Sequence, residues 1–236
     1  MSSDGRFASR SRQSEWLDAD DIDAADLAAC LHDLASVNTV TLARLPTLAF
    51  MRRVARRADG PSLSVLDVGS GEGDMLRRIA RWRARRGTAL RLEGVDLNPA
   101  SALAARAATP PGLPITYRTG NVFDEPPGSV DVVISSLTTH HMSDDEIVRF
   151  LRWMEQTARR GWFINDLHRH PLAYYGFKAL AATAGWHPMV RHDGAISVTR
   201  SFTRADWRRL LRAAGLNKVA QVRWHLPFRF CVSRIR

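Results

Sequence analysis

The clearest chemistry in the sequence lies in a glycine-rich, acidic segment that begins at Asp67 and reads DVGSGEGD. Its three glycines, Gly69, Gly71 and Gly73, allow the backbone to approach a bound molecule closely. Asp67 and Glu72 would repel the pyrophosphate of a dinucleotide, and no phosphate-binding Gly-Lys-Ser/Thr sequence is present. The segment therefore predicts a site for a nucleoside that carries positive charge and no phosphate.

Polar residues also follow the next three predicted strands, at the edge of the sheet where ligands bind. Asp96 and Leu97 come after the second strand, and the Asp96 carboxylate can accept both ribose hydroxyls or cap the following helix. Asn121 can meet an adenine amino group while Val122 or Phe123 packs on the ring, although a Gly-Asn turn is the alternative. Ser135 ends the fourth strand near the opposite end of the ligand.

Two histidine clusters can supply a general base, because histidine titrates near neutral pH. His140 and His141 follow the fourth strand, and His168 and His170 follow the fifth. We expect His140 or His141 to act because they lie nearer the nucleoside site, and His168 remains a third candidate. A loop or packing role is open for each of them. The paired histidines lack a clear third ligand, so no metal site is predicted.

Alternating strands and helices must position these residues. Strands are predicted at residues 63–68, 90–95, 115–117, 130–135, 162–165, 218–224 and 228–233, and helices at 75–86, 100–108 and 144–159. Strand–helix alternation of this kind predicts βαβ units, right-handed crossovers and a mainly parallel sheet, which is an α/β fold. Near the end, Thr203 is predicted to cap a helix that runs to Ala214 and stops at Gly215.

Two further segments flank this pattern. Residues 1–14 are polar and predicted to be disordered. Residues 15–60 are predicted to form a helical lid, with apolar residues at helical spacing, Pro46 at a helix break or first turn, and a break at 58–61. The nucleoside-binding domain then occupies residues 61–236.

An aromatic-rich insertion at residues 168–200 is predicted to complete the lid. Its large side chains can stack on a flat, apolar small molecule, or they can pack the insertion against the core. The residues concerned are Tyr174, Tyr175, Phe177, Trp186 and Met189.

Composition narrows the choice of partners. The net charge of +10 is nearly all arginine, which allows a polyanionic partner but fits solvated helix faces better, since no basic strand is interleaved with aromatic residues. Cys30 and Cys231 lack the spacing of a disulfide framework or zinc site. No apolar run suits a membrane span or secretory signal. We therefore expect a cytoplasmic protein without membrane or nucleic acid partners.

Taken together, the motifs resemble those of class I S-adenosylmethionine-dependent methyltransferases, and more closely the small-molecule enzymes of quinone and polyketide natural-product type. The motifs are VLDVGSGEGD at 65–74, GVDLNP at 94–99, GNVFD at 120–124, VDVVISSLTTHH at 130–141 and SFTRADWRRLLRAAGL at 201–216. The resemblance implies a Rossmann-like, doubly wound sheet of seven strands with the last strand antiparallel. It also implies that the cofactor is S-adenosyl-L-methionine, that Asp67, Gly69, Ser70, Gly71 and Gly73 line its methionine part, and that Asp96 binds its ribose.

Four functions remain open on this basis. The first is O-methylation of a phenolic or polyketide-like small molecule by in-line transfer with a histidine base. C-methylation of a quinone or aromatic ring needs the same base. RNA methylation is favoured only by charge, since no Asn/Asp-Pro-Pro-aromatic sequence follows Ser135. A non-catalytic binding module is the fourth, and a homodimer is compatible with each.

Overall fold

A seven-stranded sheet forms the centre of the computed structural model, which describes residues 3–19, 22–57, 62–84 and 89–236. The strands are β1 (Ser62–Val68), β2 (Ala89–Asp96), β3 (Ile115–Thr119), β4 (Val130–Ser136), β5 (Ala158–Leu167), β6 (Gln221–His225) and β7 (Arg229–Ile235). Their order in the sheet is β3-β2-β1-β4-β5-β7-β6. The first five pair in parallel, and β7 runs antiparallel to both neighbours. The predicted Rossmann-like sheet with an antiparallel last strand is confirmed.

Helices cover both faces of this sheet. They are α1 (Ser3–Ala8), α2 (Ala24–Val40), α3 (Arg44–Arg57), α4 (Asp74–Ala84), α5 (Pro99–Ala108), α6 (Asp144–Thr157), α7 (Pro171–Thr183), α8 (Pro188–Arg200) and α9 (Arg204–Ala214). Each face buries its own apolar cluster, with Trp162 and Trp207 on one side and Phe50 stacked on Phe163 on the other. Because strand order reverses between β1 and β4, a crevice opens beyond the carboxyl ends of these two strands.

Local signals explain where several helices begin and end. Thr203 accepts a hydrogen bond from the backbone of Asp206, and Gly215 ends α9 at φ +79°, as predicted. Pro46 lies in the first turn of α3, which is also as predicted. Residues 158 and 159 were expected at the end of a helix but belong to β5, which is longer than predicted. The predicted break at 58–61 lies outside the described residues.

The N-terminal segment differs from the prediction of a disordered tail at residues 1–14. Within residues 3–14, α1 is followed by an extended stretch that packs against the domain. Arg10 donates to Asp144 Oδ1, to the Met142 carbonyl and to the Arg200 carbonyl, each at 2.8 Å. Its guanidinium also lies 4.5 Å from the centre of the Phe202 ring. The polar composition of this segment predicts disorder, but its order comes from the contacts of Arg10. The sequence could not reveal these contacts, because the partners of Arg10 lie more than 130 residues away in the chain.

Two of the helices, α7 and α8, lie within residues 168–200 and contact each other, while α2 packs against α8. Within the described ranges, no helix is long and apolar enough to cross a membrane.

Replacing Arg10 with alanine should lower the free energy of unfolding by about 2 kcal/mol, because charge-assisted hydrogen bonds from a mostly buried side chain are lost. Urea denaturation measures this change. Arg12→Ala is the matched control, since Arg12 is exposed and should change stability little. Equal stability of both variants would show that the N-terminal segment is not anchored by Arg10.

Candidate functional site

A cavity of about 600 Å³ occupies the crevice at the carboxyl ends of β1 and β4. Its floor is the turn between β1 and α4, and its far walls come from α2, α7, α8 and the segment before residue 19. One side is acidic, with Asp67, Glu72, Asp74 and Asp96. The opposite side is lined by apolar residues of the helices, namely Leu27, Leu31, Leu34, Val37, Leu172, Phe177, Val190 and Val198.

The turn after β1 requires glycine for conformational and steric reasons. Gly69, Gly71 and Gly73 have φ values of +69°, +51° and +78°, a region that disfavours other residues. A Cβ atom at Gly69 would overlap the side chain of Thr138, and one at Gly73 would overlap the Tyr117 ring. The turn therefore packs closely against the loop after β4 at Gly69 and against Tyr117 of β3 at Gly73, whereas the space beside Gly71 is open.

Carboxylates surround this turn. Asp96 accepts from the Gly71 backbone N–H at 2.9 Å and from the Asn98 N–H at 3.0 Å. Asp67 is buried, and burial raises its pKa well above the ordinary value, with the charges of Asp74 and Asp96 adding to this effect. Asp74 is paired with Arg44, which also lines the cavity, at 2.6 Å, so Asp67 and Asp96 are the carboxylates of this turn best placed to attract a cation.

A buried carboxylate orients the first of the paired histidines. His140 Nδ1 lies 2.8 Å from Asp166 Oδ1, while Asp166 Oδ2 accepts from the His140 backbone N–H and the Thr139 hydroxyl. Burial opposes ionisation of Asp166, but the charge and hydrogen bond of His140 and the Thr139 hydroxyl outweigh it and hold its pKa at about 2. An ionised Asp166 only accepts, so His140 Nδ1 donates and Nε2 is left for other chemistry.

The second histidine is oriented in the same way. His141 Nδ1 lies 2.9 Å from Asp18 Oδ1, and Arg200 donates to Asp18 Oδ2 at 2.6 Å. The hydrogen bond from His141 lowers the pKa of Asp18 most and, with that from Arg200, prevails over burial. His141 Nδ1 is therefore also a donor, which leaves its Nε2 atom for other chemistry.

Glu15 lies between the two histidines and is not among the site residues predicted from the sequence. Its Oε1 is 3.7 Å from His140 Nε2, and its Oε2 is 3.8 Å from His141 Nε2. Burial raises the pKa of Glu15 to about 7, although His141, a hydrogen bond from Ser197 and Arg200 act in the opposite direction. The position of Glu15 depends on a tertiary contact, so no local motif identifies it. The Asp193 carboxylate on α8 accepts hydrogen bonds from the backbone N–H groups of residues 16 and 17 and thereby holds the segment that carries Glu15.

The structure brings about half of the predicted site residues to the cavity. Those that line it are Asp67, Gly69, Ser70, Gly71, Asp96, His140, His141 and Phe177. Gly73 faces Tyr117, Leu97 is exposed, and Val122 is buried in the core. Asn121 caps a short 3-10 helix by accepting from the Phe123 N–H, and Ser135 donates to the Val68 carbonyl. Structural contacts account for the placement of four of these residues away from the cavity, whereas the Leu97 side chain is exposed.

Three of the four predicted substrate-binding residues also lie elsewhere. Tyr174 is buried against Phe7, with its hydroxyl accepting from Arg6 at 2.7 Å. Trp186 packs with Phe177 in a small cluster that joins α7 to α2, and Tyr175 is 55% exposed. The reading of these aromatics as packing residues therefore holds for Tyr174 and Trp186. Sequence alone does not show which face of a helix pair meets a neighbour.

The third histidine candidate, His168, does not line the cavity. Its Nδ1 accepts a hydrogen bond from Trp224 Nε1 at 3.2 Å, and its ring lies edge-on to Phe230. Burial lowers the pKa of His168 to about 4, with the charges of His170 and Arg169 contributing. This histidine is a neutral packing residue at neutral pH, so the prediction of a catalytic role for it is not retained.

Comparison with known proteins agrees with this geometry. Residues 65–161 match the family model of a methyltransferase domain, a domain that uses S-adenosylmethionine. No curated protein matches the sequence significantly.

Several solved structures that share this fold at low sequence identity are methyltransferases. Magnesium protoporphyrin IX methyltransferase from Synechocystis PCC 6803 with bound S-adenosylhomocysteine is 17% identical, with TM-score 0.52 over 98% of this chain and 92% of that one. A SAM-dependent methyltransferase from Aquifex aeolicus is 15% identical, with TM-score 0.57 over 91% and 98%. Human N-acetylserotonin methyltransferase in complex with SAM is 14% identical, with TM-score 0.58 over 91% and 56%. These likenesses show the methyltransferase fold.

Substituting Gly69 with alanine should destabilise the protein by roughly 3 kcal/mol, because the new Cβ adds overlap with Thr138 to an unfavourable φ. Thermal and urea unfolding measure the loss. In a Thr138→Ala background part of this loss should be recovered. Gly71→Ala is the control, since its Cβ meets open space and only the backbone cost of about 1 kcal/mol remains. Equal losses at both glycines would contradict the steric explanation.

Proposed function

We propose that this protein is an S-adenosylmethionine-dependent methyltransferase that methylates an oxygen atom of a phenolic or polyketide-like small molecule. The observation that carries the proposal is a single cavity bordered by an acidic glycine turn on one side and by His140, oriented by Asp166, on the other. A cationic methyl donor and an acceptor with its base therefore fit side by side.

The acidic side of the cavity suits the cofactor. S-adenosylmethionine carries a sulfonium and an ammonium group and has no phosphate, so Asp67 and its neighbours attract it. Asp96 uses one lone pair of each oxygen for backbone N–H groups and keeps others for the two ribose hydroxyls. Gly69 and Gly71 let the ligand lie against the backbone of the turn.

The apolar side of the cavity suits a flat organic acceptor. Phe177 and the aliphatic side chains of α2, α7 and α8 line it, and these helices serve as the lid in this proposal. Nucleic acid is a poor match for such a wall, because its recognition requires exposed positive charge facing phosphates. An enclosed apolar wall also excludes water from the reacting groups.

Methyl transfer then requires alignment and removal of one proton. The acceptor oxygen attacks the methyl carbon in line with the sulfur, which leaves as the neutral thioether of S-adenosylhomocysteine. The acceptor hydroxyl gives its proton to His140 Nε2, and Asp166 stabilises the resulting imidazolium through Nδ1. His141 and Glu15 border the same space and position the acceptor hydroxyl.

Binding of S-adenosylmethionine should weaken as pH falls through the raised pKa of Asp67. Burial and neighbouring carboxylates favour the protonated acid in the free protein, whereas a cationic ligand favours the ionised form, so binding releases a proton. Below that pKa we expect up to about a tenfold loss of affinity per pH unit in calorimetric titrations.

In the same titrations, Asp67→Asn should bind more weakly at high pH and show a flatter pH dependence. The exposed Asp145→Asn variant should keep the wild-type profile. A pH dependence that is unchanged in Asp67→Asn would refute the role of Asp67.

Replacing His140 with asparagine should lower turnover by roughly 10²- to 10⁴-fold while binding of S-adenosylhomocysteine stays close to wild type. The asparagine amide can still donate to Asp166 but cannot accept a proton. Turnover is measured by release of S-adenosylhomocysteine with a panel of phenolic acceptors, and mass fragmentation locates the methyl group.

His168→Asn is the matched control and should keep its turnover, because His168 does not line the cavity. Equal turnover of wild type and His140→Asn would exclude His140 as the base. A methyl group on carbon would identify ring C-methylation, which uses the same base.

A further inference from the structure

Glu15, His140 and His141 enclose a small space that no direct hydrogen bond closes. One potential ligand atom from each of the three residues lies within 4.8 Å of the other two, and the Nε2 atoms of both histidines face Glu15 oxygens. The nitrogen-to-oxygen distances of 3.7 and 3.8 Å are too long for hydrogen bonds. Three potential ligand atoms therefore point at one another without making a bond.

Both histidines are held in the orientation that a metal ligand needs. Asp166 binds His140 Nδ1 and Asp18 binds His141 Nδ1, so each ring presents its Nε2 lone pair to Glu15. A carboxylate that accepts from the second ring nitrogen is the usual support of a metal-binding histidine. Two independent carboxylates give the same support to two adjacent histidines.

The spacing also matches a metal ion. Histidine and carboxylate ligands lie about 2.0–2.2 Å from zinc, so two ligands at a tetrahedral angle stand roughly 3.4 Å apart. The distances of 3.7 and 3.8 Å from the two Glu15 oxygens exceed this separation by a few tenths of an ångström, and the three ligand atoms as a set, which lie within 4.8 Å of one another, would move together by up to about 1.4 Å on binding the ion. The Ser197 hydroxyl donates at 2.9 Å to Glu15 Oε1, the oxygen that faces His140 Nε2, and so holds this oxygen beside the histidine.

The charges around the cluster favour a cation. Besides Glu15 itself, the carboxylates of Asp18 and Asp166 contact the two histidines, and the Asp193 carboxylate lies beside the same segment, where it accepts from the backbone N–H groups of residues 16 and 17. The guanidinium that pairs with them is Arg200, which bonds Asp18 and lies 3.8 Å from Glu15. Arg229 faces Asp166, and Arg10 is paired with Asp144. Negative charge thus remains in excess at this wall of the cavity.

We propose that Glu15, His140 and His141 bind one divalent transition-metal ion, with zinc as the reference ion. Two imidazoles and one carboxylate suit zinc and its first-row neighbours better than magnesium or calcium. The sequence predicts no metal site because it shows no clear third ligand beside the paired histidines, and in the folded protein Glu15 of the N-terminal segment supplies that ligand.

Such an ion would have a defined place in the chemistry of the cavity. Three protein ligands leave at least one position of a tetrahedral ion free, and a molecule in the cavity can take it because all three residues line that cavity. A coordinated hydroxyl ionises more readily, which would replace proton transfer to His140 Nε2 in the metal-bound protein. The metal site does not depend on the proposed methyl transfer.

The test is titration of full-length, chelator-treated protein with Co²⁺, followed by visible absorption, and with Zn²⁺ in a calorimeter. One ion should bind per chain, with the intense cobalt absorption of a low-coordinate site. Glu15→Gln and His141→Ala should weaken binding by at least roughly 100-fold, and the supporting Asp18→Asn by roughly tenfold. His141 is partly exposed, so its variant keeps the test valid if Glu15→Gln fails to fold.

His225→Gln is the matched control, because His225 lies outside the cluster. This variant removes one histidine without touching the proposed site, so it should bind the ion as the wild-type protein does. Absence of stoichiometric binding, or equal binding by wild type, Glu15→Gln and His141→Ala, would overturn the proposal. S-adenosylhomocysteine binding is measured on the same samples. If the protein binds the metal but not S-adenosylhomocysteine, only the methyltransferase proposal is rejected. If it binds S-adenosylhomocysteine but not the metal, only the metal site is rejected.

Discussion

The fully buried carboxylate of Asp166 is the constraint on which the acceptor side of the cavity depends. It accepts hydrogen bonds from the His140 ring, from the Thr139 hydroxyl and from backbone N–H groups at residues 140 and 167. A buried charge is tolerated only when its lone pairs are satisfied. The end of β5 and the turn after β4 are therefore locked together, and the His140 ring has a single orientation.

The N-terminal segment depends on that arrangement and completes it. Arg200 joins Asp18 to the carbonyl oxygens of residues 140 and 141, so the segment, α8 and the histidine turn form one polar network. Glu15 is buried within this network, and its raised pKa reflects the loss of water. Low local polarity strengthens each hydrogen bond there but penalises any unpaired group. We therefore expect the hydrogen bonds of this network to hold the N-terminal segment, α8 and the histidine turn together, and a change in charge at any of these residues to weaken them.

Sequence patterns predicted the framework because the framework depends on local rules. Alternating apolar strands and amphipathic helices required a mostly parallel sheet, and the caps at Thr203 and Gly215 follow from the preferences of single residues. The acidic glycine turn was predicted for the same reason, since φ values above zero at Gly69 and Gly71 need glycine whatever surrounds them. The position of Asp96 near the glycine turn was predictable as well, because β1 and β2 pair in parallel and their carboxyl ends lie at the same edge of the sheet.

The sequence by itself thus determined the sheet, the helix ends and the acidic turn with its strand-end carboxylates. Only the tertiary structure decided which histidine faces the cavity, because His140 and His168 both follow strands and differ in their distant partners, Asp166 and Trp224. It also decided that Tyr174 packs inward and that Glu15 enters the site. The physical reason is that these placements rest on contacts between residues far apart in the chain, whose energies no local pattern of residue types encodes.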